Sequence, residues 1–144
     1  MLQAATLGVS RVHFHNGLGY RYNIFQPIHN LQDGLNISIP HILPLYHAFL
    51  VVNEAIGPCT PPTKERDTRE CVAGHVAELG GLDGTLAGYG IWEEGKLVRV
   101  VMIHSGLYQD GQRGRLDVEL QGLEAKKIKV KRLRVPRTES YYGL

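Results

Sequence analysis

The chain has 144 residues, enough for one domain that buries about two-thirds of its unfolded surface. A formal net charge of +2 with 21% charged residues gives no overall field for a nucleic acid. No apolar run approaches the roughly 18 residues of a membrane span, and MLQAATLGVSRV lacks the basic and apolar regions of a signal peptide, so a soluble chain without an export address is expected.

MLQAATL reads as the last turns of a helix stopped by Gly8. A chain that begins inside a helix with no cap before it suggests that Met1 is an internal methionine of something longer. A short strand is expected over 11–15, with Val12 and Phe14 on one face and Arg11, His13 and His15 on the other. His13 and His15 share a face and could form a metal pair. A metal needs a third and a fourth ligand, and the nearest downstream carboxylate is Asp33, so a hydrogen-bonded histidine below a strand end is preferred and no metal is expected.

The loop Asn16-Gly17-Leu18-Gly19-Tyr20-Arg21-Tyr22-Asn23 follows. Its glycines let backbone N–H groups approach a ligand, and its phenols can donate to an anion or a sugar hydroxyl. The same composition also suits a turn with aromatic packing. Residues 26–40 form an irregular connection marked by Pro27, Asp33-Gly34 and Pro40, and Asn36-Ile37-Ser38 matches the N-glycosylation acceptor pattern.

A helix is predicted over 41–56, with Pro44 near its start and Gly57 just past its end. Leu45, Ala48, Phe49, Val52, Ala55 and Ile56 fall on one face, widened by Leu50 and Val51, so the helix should pack on more than one neighbour. The polar stretch 58–73 carries three prolines and both cysteines. The spacing of Cys59 and Cys71 fits a disulfide as well as two unpaired thiols, and the choice follows the redox compartment.

A short strand over 76–79 and a Gly80-Gly81-Leu82-Asp83-Gly84 turn lead into the strongest structural signal, TLAGYGIWEEGKLVRVVMIHS. Two β-rich runs, 86–92 and 97–104, flank Glu93-Glu94-Gly95-Lys96, the pattern of a hairpin. The second run is apolar on both faces, Leu97, Val101 and Ile103 against Val98, Val100 and Met102, and is expected at the centre of a sheet. Gly88 and Gly90 leave one face of the first run bare for a large neighbour, and Trp92 closes that face beside the turn. After a polar loop over 106–114, Leu116, Val118 and Leu120 alternate with polar residues as a half-buried strand, and Ile128, Val130, Leu133 and Val135 mark another with a bulge near Lys131 and Arg132. Lys126, Lys127, Lys129, Lys131, Arg132, Arg134 and Arg137 crowd that last strand. Such a stripe over 126–137 suits either a polyanion or a solvated edge strand whose lysines block further pairing; no stacking aromatics or nucleic-acid motif accompany it.

Taken in order, RVHFHNGLGYRYNIFQPI, PLYHAFLVVNEAIG, GYGIWEEGKLVRVVMIHSGLY and VKRLRVPRTESYYGL resemble the C-terminal part of glycoside hydrolase family 79, the fungal β-glucuronidase and heparanase-like enzymes. The resemblance spans nearly the whole chain apart from the Cys59 to Cys71 loop and rests on the order of four segments. It implies a mainly β fold: an antiparallel β-sandwich with one or two helices, preceded by the last strand of a (β/α)8 barrel that is otherwise missing. On that basis residues 1–40 are a barrel remnant and 41–144 a helix plus an incomplete C-terminal sandwich. The strand at 11–15 corresponds to the last barrel strand. Gly19 and Tyr20, or Tyr22 in place of Tyr20, correspond to the amide and hydroxyl that hold the glucuronate carboxylate. An N–H and a phenol converging on a carboxylate make charge-assisted hydrogen bonds.

Retaining glycosidases need two carboxyl groups about 5–5.5 Å apart. The family draws both glutamates from earlier barrel strands, which this chain lacks, so it is not expected to be catalytically competent alone. The resemblance further implies no cofactor, a barrel domain and a glucuronate-containing glycan as partners, and neither nucleic acid nor membrane. It also implies a secreted parent with Cys59 bridged to Cys71 and Asn36 glycosylated, against which stands the absence of a signal peptide here. The alternative function is a free-standing carbohydrate- or polyanion-binding module using the basic strand 126–137.

Overall fold

The structure, a computed structural model, describes residues 1–17, 22–27, 40–57, 74–82, 84–111, 114–121 and 127–133. It is mainly β, with two antiparallel sheets and two helices in the order α1 (Leu2–Thr6), β1 (Phe25–Gln26), β2 (His41–Ile42), α2 (Pro44–Ile56), β3 (His75–Glu78), β4 (Leu86–Glu93) and β5 (Lys96–His104).

The expected stop at Gly8 is present and has a physical form. Gly8 takes a φ of +74°, its N–H donates to Ala5 O at 3.1 Å, and Val9 N–H reaches back to Ala4 O at 3.0 Å. That pair of reversed bonds satisfies carbonyls that the last helical turn leaves open.

The hairpin also forms as predicted. Glu94 and Gly95 have φ values of +50° and +77°, the two positive values of a type I′ turn, whose twist matches that of the flanking strands. The centre of the three-stranded sheet, however, is β4 and not β5, since the strand order is β3-β4-β5. β5 is the outer strand, and Val98 and Ile103 remain 44% and 45% exposed. A run apolar on both faces was the reason to expect the reverse; here the glycines of β4 matter more, because they admit close neighbours on both sides.

A Cβ built on Gly90 would stand 2.2 Å from the Trp92 ring, and one on Gly88 would stand 2.8 Å from Leu82 Cδ1 and 3.1 Å from Met102 Sδ. Trp92 therefore covers the bare face, as its position suggested. The ladder shifts register between Ile91 and Trp92, which pair with Arg99 and Leu97, so Val98 is the extra residue of a bulge. The bulge turns Leu97 to the face of Val100 and Met102 rather than that of Val101 and Ile103.

The other sheet face carries Tyr89 and the fully buried Ile91. Helix α1 packs on β3, buries Leu2, and accepts a 2.9 Å hydrogen bond at Gln3 Oε1 from the Tyr89 hydroxyl. Helix α2 ends on the same face: a Cβ on Gly57 would stand 2.9 Å from Arg99 Nη2, so the guanidinium lies at the helix C-terminus, where the dipole favours a cation. Arg99 also pairs with Glu93 at 2.5 Å.

α2 starts at Pro44, three residues later than the predicted 41, because His41 and Ile42 pair with Gln26 and Phe25 instead. Proline at the first helical position has no N–H to leave unsatisfied, and Leu43, buried at 4% exposure, donates its N–H to Ile24 O at 3.1 Å. The helix touches several neighbours as expected. Phe49 meets Phe14 edge-on at 5.0 Å, Glu54 meets Lys131, and Ala55 is buried, whereas Leu50 and Ile56 stay exposed.

Three predicted strands do not form among the described residues. Segments 11–15, 114–120 and 127–133 carry no ladder. Their alternating apolar residues stay in water, with Val12, Leu116 and Val130 at 45%, 43% and 69% exposure. Alternation prepares a face, but a strand also needs a neighbour for its N–H and C=O groups.

Candidate functional site

The loop singled out for binding starts from a segment tied to α2. Phe14 packs on Phe49, and β1 and β2 pair antiparallel through Phe25↔Ile42 and Gln26↔His41. These contacts tie one end of the loop to α2 and the other to the strand just before it.

What joins the ends is a pair of asparagines. Asn23 is fully buried, and its Oδ1 accepts the Gly17 N–H at 2.9 Å while its Nδ2 donates to Gly17 O. One carboxamide thus satisfies both backbone groups of one residue, six positions away. On the other side, Asn16 Oδ1 accepts the Ile24 N–H at 3.2 Å. The result is a closed loop root in which residues 16 and 17 lie beside 23 and 24. Buried polar groups must be paired in this way, or they lose the water they gave up.

Tyr22 lies just outside the clasp, 51% exposed, with its ring stacked on His15 at 6.0 Å and 25° between planes. The structure therefore places Tyr22 at the surface beside the loop root. Gly19 and Tyr20 lie outside the described residues, as do Cys59, Cys71 and Asn36. His13 is exposed, and among the described residues no three His, Cys, Asp or Glu side chains converge.

Sequence reading gave the asparagines no role. The signal was available: two asparagines bracketing a Gly- and Tyr-rich loop, a residue type that hydrogen-bonds nearby backbone.

Several carboxylates enter ion pairs within the fold. Glu93 is paired with Arg99, Asp117 with Arg115 at 2.9 Å, and Glu54 with Lys131. The Lys131 hydrogen bond, and then its charge, hold the Glu54 carboxyl below its usual range, with a smaller contribution from Lys129. In the basic segment, Lys127, Lys129, Lys131 and Arg132 are exposed, and Lys131 is engaged by Glu54 on α2. No ladder forms at 127–133, so these cations are not the guard of an edge strand there.

A surface depression lies elsewhere. It is open, about 530 Å³, and lined by the 78–82 turn with Thr85 and Ser105. The Ser105 hydroxyl donates to Thr85 O at 3.0 Å, and among the described residues of the lining Glu78 supplies a carboxylate. Its described lining offers neither a pair of acids nor a base beside a nucleophile. None of the described helices is long and apolar enough to cross a membrane.

Comparison of the chain with known protein families, with curated proteins and with solved structures finds no match.

Proposed function

We propose that the chain is the C-terminal supporting part of a β-glucuronidase-like glycoside hydrolase, resembling family 79, and that it contributes the 16–23 loop to recognition of a glucuronate carboxylate. The observation that carries this is the loop root. A fully buried Asn23 holds both backbone groups of Gly17, and Tyr22 stands exposed beside it. Such a root would bring the two ends of the loop together and hold a phenol beside them before a ligand arrives, which lowers the entropy lost on binding. On this reading the two sheets are part of an incomplete β-sandwich, and the segment 11–15 extends only beside barrel strands contributed by a longer polypeptide. The partners are that barrel and a glucuronate-containing glycan, and the parent is a secreted enzyme with Cys59 bridged to Cys71 and Asn36 glycosylated.

The chain alone binds but does not cleave. Titrating the isotopically labelled protein with glucuronate and, separately, with glucose tests the first half. Resonances of Gly17, Tyr22 and Asn23 should move for glucuronate only; equal responses, or none, would overturn the assignment. An aryl β-glucuronide tests the second half, since turnover above the protein-free rate would contradict it.

A second reading has one observation in its favour. Lys127, Lys129 and Arg132 stand exposed on a segment that is not an edge strand. A carbohydrate- or polyanion-binding module using 126–137 would be retained on heparin at physiological salt, and retention would fall when these cations are neutralised.

A further inference from the structure

The sequence contains a single Asn-Gly step, Asn16-Gly17. In such a step a backbone nitrogen most readily attacks the preceding carboxamide, because glycine has no Cβ in the way. The Gly17 nitrogen forms a bond to Asn16 Cγ, the Cγ–Nδ2 bond breaks, and ammonia leaves with the proton that the Gly17 nitrogen gave up. Water then opens the cyclic imide at either carbonyl, yielding aspartate or isoaspartate. Water is the only co-reactant.

In the folded chain both reacting groups are engaged. Gly17 N–H points into Asn23 Oδ1 at 2.9 Å, and Asn16 Oδ1 is held by the Ile24 N–H at 3.2 Å. Asn23 is fully buried, whereas Asn16 is exposed to the water that would complete the reaction. We propose that Asn16 is a latent deamidation site and that the buried carboxamide of Asn23 is the latch that keeps it closed. Attack requires the Gly17 nitrogen to leave Asn23 and the Asn16 side chain to turn away from Ile24, so two hydrogen bonds are lost before any bond forms.

The reaction also removes its own latch. Isoaspartate inserts one more main-chain atom between residues 16 and 17, so the contacts to Asn23 and Ile24 cannot both be restored. The product carries a new negative charge beside an opened loop root. This chemistry holds whatever the loop binds, and its test is independent of the function proposed above.

The full chain and a synthetic peptide covering 11–22 are incubated together in mildly alkaline buffer. Conversion is then read by the mass and isoaspartate content of the tryptic peptide 12–21. The intact chain should convert slower than the peptide by on the order of tenfold or more, the effect of two hydrogen bonds. Asn23→Leu, which removes the acceptor but keeps bulk, should move the rate toward that of the peptide while circular dichroism stays native. Asn16→Gln should silence the site in both backgrounds. Native-state hydrogen exchange gives a check that needs no variant: the Gly17 amide should be protected. An intact chain converting at the peptide's rate, an unprotected Gly17 amide, or a folded Asn23→Leu variant no faster than the parent would each overturn the proposal.

Discussion

Gly90→Ala is the substitution for which the structure sets the sharpest expectation. The new methyl carbon would lie 2.2, 2.5 and 3.0 Å from three carbons of the Trp92 ring, well inside contact distance. The backbone has little room to retreat, because Gly90 pairs with Ala77 on one side and Val100 on the other. The ring must therefore swing away from the sheet. Overpacking of this kind costs about 1–3 kcal/mol. Against it stands about 0.4–1 kcal/mol from the reduced freedom of the unfolded chain when glycine becomes alanine. Packing wins, and a net loss of about 1–2 kcal/mol is expected, a fall in Tm of about 3–8 °C. Urea unfolding followed by tryptophan emission is well suited to this, since Trp92 is the sole tryptophan and reports on its own displacement. Gly88→Ala is the control. Its nearest neighbours, at 2.8–3.2 Å, are the ends of the Leu82, Met102 and Leu79 side chains, which can give way, so a change within about 0.5 kcal/mol is expected. In Trp92→Leu, the Gly90→Ala penalty should largely vanish when followed by circular dichroism. A Gly90→Ala protein as stable as the parent, with unchanged emission, would refute the account of this face.

Two further substitutions probe the hairpin turn and the ion pair on α2. Glu94 holds a φ of +50°, a region costly for most side chains and tolerated by asparagine, so Glu94→Asn should raise stability by about 0.5–1 kcal/mol; a lower urea midpoint would contradict the type I′ assignment. Glu54 has its pKa lowered by the hydrogen bond and charge of Lys131, so its contribution is fully present above the unfolded carboxylate range and lost as pH falls through the lower folded value. Glu54→Gln should therefore lower the urea midpoint slightly at pH 7 and not at low pH, with the difference shrinking in high salt because both partners are largely exposed. A difference that persists in acid would refute that sign.

The parts of this fold legible in the sequence are those whose determinants are local. Gly8 and Gly57 mark helix ends because each supplies a positive φ, +74° and +82°, that other residues resist. Glu94-Gly95 closes a hairpin for the same reason. Trp92 over Gly90 was legible because residues two apart on a strand share a face. The errors in the fold are non-local. The pairing of His41 and Ile42 with Phe25 and Gln26, which shortens the helix, depends on a contact between residues distant along the chain and leaves no periodic trace in either segment. The central place of β4 was hidden because it depends on β3 pairing with the open edge of β4 rather than that of β5. Asn23 was overlooked for a different reason: a polar residue beside glycines reads as solvated, while its burial follows from the backbone it serves.

The segments 11–15, 114–120 and 127–133 share one property that bears on the proposed function. Each has the alternation of a strand, and none has a ladder among the described residues. Helix-forming residues satisfy their own backbone within the segment, so α2 can exist wherever one face finds cover. A strand has no such option, and its pairing partner must come from elsewhere in the fold or from another body. Ile128, Val130 and Leu133, at 64%, 69% and 55% exposure, would be costly to leave in water if pairing were available at hand. The clasped loop root leads to the same place from the opposite direction. Asn23 is buried where it holds both backbone groups of Gly17, while the neighbouring Tyr22 stays half exposed. Under the proposed function, strands of the larger enzyme would supply the ladder partners that these segments lack among the described residues, and the root held by Asn23 would lie beside them.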